Sequence, residues 1–136
     1  MKRRVTLTKS EQMRRVRSEN TQPELLLRRR LTDFGIRYRL HRRDLPGRPD
    51  VYIGRLRLAV FVHGCFWHGH ACKRGNPPRS NAAFWNSKIK ENKMRDERTK
   101  DALAASSIEV LELWTCETNT FEMVCRTIEA RYRAAQ

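Results

Sequence analysis

No stretch of this sequence approaches the ~18 consecutive apolar residues of a membrane-spanning helix, so no helical span is expected. The opening residues, Met1-Lys2-Arg3-Arg4-Val5-Thr6-Leu7, are basic but lack the apolar stretch of a secretion signal, which makes the cytoplasm the expected compartment. Internal repeats, low-complexity tracts and interdomain linkers are also missing, so residues 1–136 read as a single domain. Acidic side chains are scarce, 15 against 29 Lys plus Arg, and the resulting charge of +14 attracts polyanions, nucleic acid foremost. A basic structural protein of the ribosomal kind has the same balance, so charge alone does not separate the two. Cysteine is limited to positions 65, 72, 116 and 125, and in a cytoplasmic chain these favour metal or free thiols over disulfides. At 39% hydrophobic residues the core is thin, yet three Trp and five Phe are more than a disordered chain carries.

What is present orders itself as ααβββαβα. Thr8-Lys9-Ser10-Glu11 is a capping box that opens a short basic helix to about Arg17, within an N-terminal segment, residues 1–20, expected to contact DNA. Thr21-Gln22-Pro23-Glu24 is a second box with proline in the first turn, where its missing N–H costs nothing. The helix it starts places Leu25, Leu26, Leu31 and Phe34 on the core side and Arg28, Arg29 and Arg30 on a solvated face, and Gly35 ends it. Ile36 to Leu40 reads as a strand, and Leu45-Pro46-Gly47-Arg48-Pro49-Asp50 as a rigid turn that delivers Asp50 to the next one. Val51 to Ile53 and Leu56 to Val62 form a hairpin around Gly54-Arg55; Leu58 to Val62 is apolar on both faces, as a central strand is. A loop spans 63 to 80, a charged helix 80 to 105, and a strand Ile108 to Trp114. Phe121, Val124, Ile128 and Tyr132 mark the inner face of a last helix. The expected fold is an α/β layered domain.

Two groups of residues carry chemistry. Cys65-x4-His70-x-Cys72 puts three metal ligands within eight residues, and a structural zinc ion takes four tetrahedral N or S ligands. Cys116, just beyond a strand, is the candidate fourth, and Cys125, in mid-helix, is the alternative. Buried, unliganded cysteines remain the plain reading of the same four. The second group is Asp50 with His63 and His68. Phosphodiester hydrolysis needs a carboxylate to hold Mg²⁺ and a group titrating near neutrality to manage the water proton, and histidine, at about 6.5, fits. A turn aspartate and a loop histidine bonded to backbone are the alternatives.

Taken together, Pro46-Gly-Arg-Pro-Asp50, Val60-Phe-Val-His-Gly-Cys-Phe-Trp-His68, His70-x-Cys72, Phe84-Trp85 and Trp114-x-Cys116 resemble the very-short-patch-repair (Vsr) mismatch endonucleases, from about Ser10 to Cys116. That resemblance implies a restriction-endonuclease-like fold, with a central mixed sheet flanked by helices and a structural zinc site. It implies an activity that nicks the strand carrying the T of a T:G mismatch, the product of 5-methylcytosine deamination. By the same resemblance Asp50 and the Val62 backbone carbonyl hold Mg²⁺, His68 activates water and His63 assists at the phosphate. Asp96 orients the catalytic histidine, and Glu24 reaches the metal through water. Cys65, His70, Cys72 and Cys116 hold Zn²⁺. Phe66, Trp67 and Trp85 match aromatics wedged beside the mismatch, where unstacking costs least; Met13 is an opposite-groove wedge. For Trp85 and Phe84 a core position is the alternative, and for Met13 an exposed helix methionine.

Arg14, Arg15, Arg17, Arg42, Arg43 and Arg48 are candidate phosphate contacts, or simply a solvated basic face. The partner is duplex DNA with a T:G mismatch, and mismatch-repair proteins are possible companions. A monomer is expected, because a mismatch lacks two-fold symmetry. Val62 stands where many relatives carry Thr, Gly69 where a histidine is common, and the chain beyond Cys116 matches little, which leaves flanking-base specificity open. Two other functions fit the sequence: a restriction-like nuclease without mismatch preference, and a zinc-stabilised DNA-binding module without catalysis.

Overall fold

The computed structural model describes residues 22–65, 72, 79–116 and 118–136. The N-terminal basic helix, with Met13 and Arg14, and the residues Phe66, Trp67, His68 and His70 lie outside the described residues. Within them, the order is helix α1 (Gln22–Asp33), strands β1 (Arg39–Leu40), β2 (Val51–Ile53) and β3 (Leu58–His63), helix α2 (Ala82–Ala105), strand β4 (Glu109–Trp114) and helix α3 (Thr118–Ala134). The four strands form one sheet in the order β1-β2-β3-β4; β1, β2 and β3 pair antiparallel, and β4 runs parallel to β3. This is the mixed sheet with helices that the sequence led us to expect.

β3 is the middle of the structure. Leu58, Ala59 and Val60 are all fully buried, because each face of the strand has a layer over it. Val51, Ile53, Leu58, Val60 and Leu113 pack with Leu27 and Leu31 of α1 and Cys125, Ile128 and Tyr132 of α3. On the other face Tyr52, Ala59 and Phe61 pack with Leu103 of α2 and with Ile108. Alternation along the strand therefore sends Phe61 and His63 toward α2.

Several boundaries differ from the sequence reading. In α1 the core residues are Leu27 and Leu31, while Leu25 and Leu26 are 42% and 49% exposed. Glu24, 2% exposed, shares the inward side with Leu27 and Leu31, at the i, i+3 and i+7 spacing of one helix face. A carboxylate thus occupies a position that a hydrophobicity count assigns to solvent. Arg28 correspondingly leaves the solvated face: its guanidinium lies 3.4 Å from Glu24 and 2.9 Å from His41 Nε2. The helix ends as expected at Gly35, whose φ of +72° lets Gly35 N–H donate to Thr32 and Ile36 N–H to Leu31, a Schellman arrangement.

The first strand shortens to Arg39–Leu40. The β2–β3 connection is a 3-10 turn, Gly54–Leu56, closed by Arg57 in the left-handed region with φ +48°. Arg57 also donates to the carbonyls of Ser106 and Ser107, which ties this hairpin to the start of β4.

Candidate active site

The C-terminal half of β3 passes three groups of chemistry-bearing side chains within four residues: Val62 meets the first, His63 belongs to the second, and Cys65 to the third.

The first group is acidic. The turn before β2 is pressed against α2: Gly47 has φ +74°, and a Cβ there would come within 2.3 Å of Thr99 Cγ2. Only glycine suits such a turn on both counts, conformation and space. Pro49 is fully buried, so the chain enters β2 without freedom to swing. Asp50 is thereby held with its Oδ2 accepting a hydrogen bond from Val62 N–H at 2.7 Å. A second hydrogen bond joins Asp50 to Glu24 on α1. Burial, and then the hydrogen bond and negative charge of Glu24, push the Asp50 carboxyl up to about 8, against the opposing pull of Val62 N–H and Arg28. A buried and a half-buried carboxyl group in contact crowd negative charge, which the Arg28 guanidinium 3.4 Å from Glu24 offsets only in part. The donor set is hard oxygen, the kind that magnesium takes.

The second group surrounds His63, which is 6% exposed. Its ring stacks on Phe61 with centroids 5.8 Å apart and lies 4.9 Å from Trp114. Its Nε2 is 3.1 Å from Glu112 Oε2 on the parallel neighbour β4. Lys100 Nζ lies 2.5 Å from the other Glu112 oxygen and 3.2 Å from Glu97. Hydrogen bonding to Glu112 accordingly raises the Lys100 ammonium above its ordinary value. His63, Asp96, Thr99, Lys100 and Glu112 line one small cavity, closed by Phe61 and Val110. Asp96 of α2 thus shares a cavity with His63; its relation to His68 lies outside the described residues.

Three thiols form the third group. Cys65 just after β3, Cys72 in the loop and Cys116 just after β4 place their sulfur atoms within 4.8 Å of one another. Parallel pairing of β3 with β4 brings this about, since His63 sits opposite Trp114 and Thr115 N–H donates to the His63 carbonyl. The Cys65 sulfur also lies 3.4 Å from Thr115 Oγ1. Burial, and the hydrogen-bonding sulfurs of Cys65 and Cys72, push the Cys116 thiol up to about 11. Three thiols so close cannot all ionise unless a cation joins them, and tetrahedral sulfur ligation is what zinc prefers. Cys125 stands apart, in the core between α1 and α3, where burial raises its thiol.

The remaining sequence candidates are spread over the surface or enclosed. Trp85 is only 2% exposed, so the structure encloses the ring that the sequence reading offered as a base wedge; Phe84, set edge-on at 5.0 Å, is the aromatic on that turn that faces outward, at 55%. Helix α2 can turn only one of two successive aromatics inward, and the larger ring takes the core position. Arg48 and Arg43 are exposed, and Arg42 pairs with Asp44 and lies over the Tyr52 ring. Glu112, Lys100, Arg28 and the Gly47–Thr99 contact were missed from sequence. One signal for Glu112 was available: a carboxylate in mid-strand, between Leu111 and Leu113, is an exception that asks for a partner.

Comparison with known proteins identifies a family. A profile of the family described as DNA mismatch endonuclease Vsr matches residues 5–74. Among similar proteins, the type II nicking enzyme V.XorIIP of Xanthomonas oryzae pv. oryzae is 47% identical over 121 residues, covering 89% of this chain and 86% of that one. The type II nicking enzyme V.NmeAIP of Neisseria meningitidis is 37% identical, with the same two shares. The DNA mismatch endonuclease Vsr of Escherichia coli K12 is 38% identical over 109 residues, 80% of this chain and 70% of that protein.

Proposed function

The chain belongs to the Vsr family of DNA mismatch endonucleases, and from that premise we propose that it nicks duplex DNA beside the T of a T:G mismatch, with magnesium as the hydrolytic metal and zinc as a structural one. The observation that carries the reading is the pair of buried Glu24 and half-buried Asp50, held on the Val62 N–H one residue from His63. A carboxyl pair of this kind is costly inside a folded chain and has a purpose where a divalent cation is to be held.

Asp50 and the Val62 carbonyl would hold Mg²⁺, with Glu24 reaching it through water. When bound, the ion neutralises charge that builds on the phosphate oxygens and lowers the pKa of its water. The chain's own residues do the rest. Asp50 gives up its proton on metal binding, and Val62 N–H keeps one of its oxygens aimed while the other is used. Arg28, 3.4 Å from Glu24, balances part of its charge. His68 takes the proton of the attacking water. His63, itself largely buried, assists at the phosphate, and its contact is stronger at such a position than in open water.

Cys65, Cys72 and Cys116, with His70, would hold Zn²⁺. Its contribution would be rigidity, by tying Cys65 after β3 and Cys72 to Cys116 after β4. Phe66 and Trp67 are the wedge beside the mismatch, with Met13 in the opposite groove; Trp85 joins only by leaving its core position. Arg14 and Arg48 contact phosphate, and the +14 charge supplies the salt-dependent part of binding. Mismatch-repair proteins are possible companions, and the protein works as a monomer.

The test compares end-labelled T:G and T:A duplexes in several cytosine-methylation contexts on a denaturing gel. A single nick next to the mismatched T is the expected product. Equal cutting of both duplexes would replace the mismatch reading with a nicking nuclease blind to mispairing, and binding with no cutting in any context would leave a DNA-binding module.

A further inference from the structure

We infer that His41 is a positioning residue for the magnesium site, given the reading in which Glu24 reaches the ion through water: it holds the Arg28 guanidinium near Glu24 without letting it close on the carboxylate.

Strand β1 brings His41 to the site. Leu40 pairs with Val51 in the antiparallel register, so the next residue, His41, comes opposite Asp50. There the chain leaves the strand with a φ of +44°, in the left-handed region that histidine and asparagine tolerate better than most residues. His41 Nε2 lies 2.9 Å from Arg28 Nη2. A guanidinium has only donors, so Nε2 accepts, and the hydrogen of the neutral ring sits on Nδ1.

The same Nη2 faces Glu24 Oε2, but at 3.4 Å. A guanidinium–carboxylate pair left to itself closes to about 2.7–2.9 Å, often with two nitrogens on two oxygens. Here one nitrogen is shared, and the shorter bond goes to the uncharged partner. Arg28 has little else to hold it: its buried Nε has no hydrogen-bond partner among the described residues. Its side chain is 15% exposed and that of Glu24 2%, so a released guanidinium moves onto the carboxylate more readily than into water. Closing would engage the Glu24 oxygens that the hydrogen bond to Asp50 and a metal-bound water require. At its present distance Arg28 balances charge and leaves them in use.

The experiment measures the magnesium requirement by single-turnover nicking of the T:G duplex and by the rise in Tm that magnesium gives the DNA-free protein. The proteins are wild type, His41→Asn, His41→Gln, Arg28→Met, His41→Asn/Arg28→Met and Glu24→Gln, each with zinc retained. Asparagine suits the backbone at this position but is too short to reach Arg28; glutamine suits it less, yet its amide oxygen stands about where Nε2 does. His41→Asn should raise the magnesium concentration for half-maximal nicking about threefold to tenfold, somewhat less than removal of a direct partner of a metal-bound group. The Tm titration should shift alike, and DNA binding should stay at the wild-type level. His41→Gln should recover most of the loss although it melts no higher than His41→Asn. In the Arg28→Met background His41→Asn should change nothing further. The ¹⁵N spectrum of the magnesium-free wild type should show the His41 ring protonated at Nδ1 and not at Nε2.

A folded His41→Asn protein with the wild-type magnesium requirement, a His41→Gln protein needing as much magnesium as His41→Asn, or a full His41→Asn effect in the Arg28→Met background would overturn the inference. So would a hydrogen on Nε2. Should His41→Asn fail to fold, the spectrum decides: the Nε2 signal must move in Arg28→Met, and an unmoved signal overturns the inference. A Glu24→Gln protein with the wild-type magnesium requirement would refute the role of Glu24 and the inference with it, whereas the other failures leave that role standing.

Discussion

The Glu24–Asp50 pair makes a prediction about stability as well as catalysis. In the folded, magnesium-free protein Asp50 is pushed up to about 8, from an ordinary 3.8. The folded state therefore holds a proton that the unfolded chain has released, and it does so between those two values. Stability is greatest below the ordinary value, falls as pH rises toward the folded value, and levels off above it. At about 1.4 kcal/mol per unit, the full shift corresponds to at most about 6 kcal/mol. Water admitted as the pair ionises reduces this, so a loss of roughly 2–4 kcal/mol between pH 5 and 8 is expected.

Asparagine at position 50 keeps an oxygen for Val62 N–H and offers N–H to Glu24, but it has no proton to lose. Asp50→Asn should thus be more stable than wild type at pH 8 in magnesium-free buffer with zinc retained. The gain should be roughly 6–12 °C in Tm for a domain of this length, and the two proteins should converge toward pH 5. Comparing them at each pH cancels the general repulsion of a +14 chain. Magnesium should narrow the gap at pH 8 by stabilising wild type alone. The reasoning is refuted if the wild type does not lose ground to Asp50→Asn as pH rises, or if Asp50→Asn is the less stable protein at pH 8.

Three further expectations concern the scaffold. Gly47→Ala meets both an unfavourable φ and the Thr99 methyl, so it should cost about 1–3 kcal/mol in urea unfolding and slow nicking by shifting Asp50; Thr99→Ser in the same protein should recover part of both. Leu31→Ala, at a fully buried position, should destabilise by about 2–5 kcal/mol, whereas Leu26→Ala, half exposed, should stay within about 0.5–1 kcal/mol; denaturant curves for the pair check which side of α1 faces the core. Cys116→Ser should lose bound zinc and most activity, while Cys125→Ser keeps its zinc, as metal analysis of the purified variants would show.

Much of this was legible in the sequence because local patterns and tertiary demands agree there. The apolar run at Leu58–Val62 is a central strand, Gly35 ends a helix, and Cys116 rather than Cys125 joins Cys65 and Cys72, since a residue just beyond a strand reaches the sheet end that a mid-helix residue does not. Where the reading failed, a buried polar group had altered the pattern. Glu24 occupies an inward position on α1, and a stripe read as Leu25, Leu26, Leu31 and Phe34 keeps Leu31 in the core but puts Leu25 and Leu26 where Leu27 belongs. Glu24 also hydrogen-bonds Asp50, a contact that a capping box does not foresee; Thr21, the other half of that box, lies outside the described residues. Trp85 and Phe84 are adjacent and chemically alike, and only packing against the sheet decides which faces inward. Glu112 and Lys100 lie on different elements, so their pairing depends on how α2 packs against β4, which no local pattern encodes.

The most direct test of the account is single-turnover nicking of a T:G duplex by wild type and Asp50→Asn, with and without added Mg²⁺. The account predicts a nick from wild type only when magnesium is present, and none from Asp50→Asn even though that protein is folded and binds the duplex. Nicking by Asp50→Asn at a rate near wild type, or by wild type without a divalent cation, would contradict it.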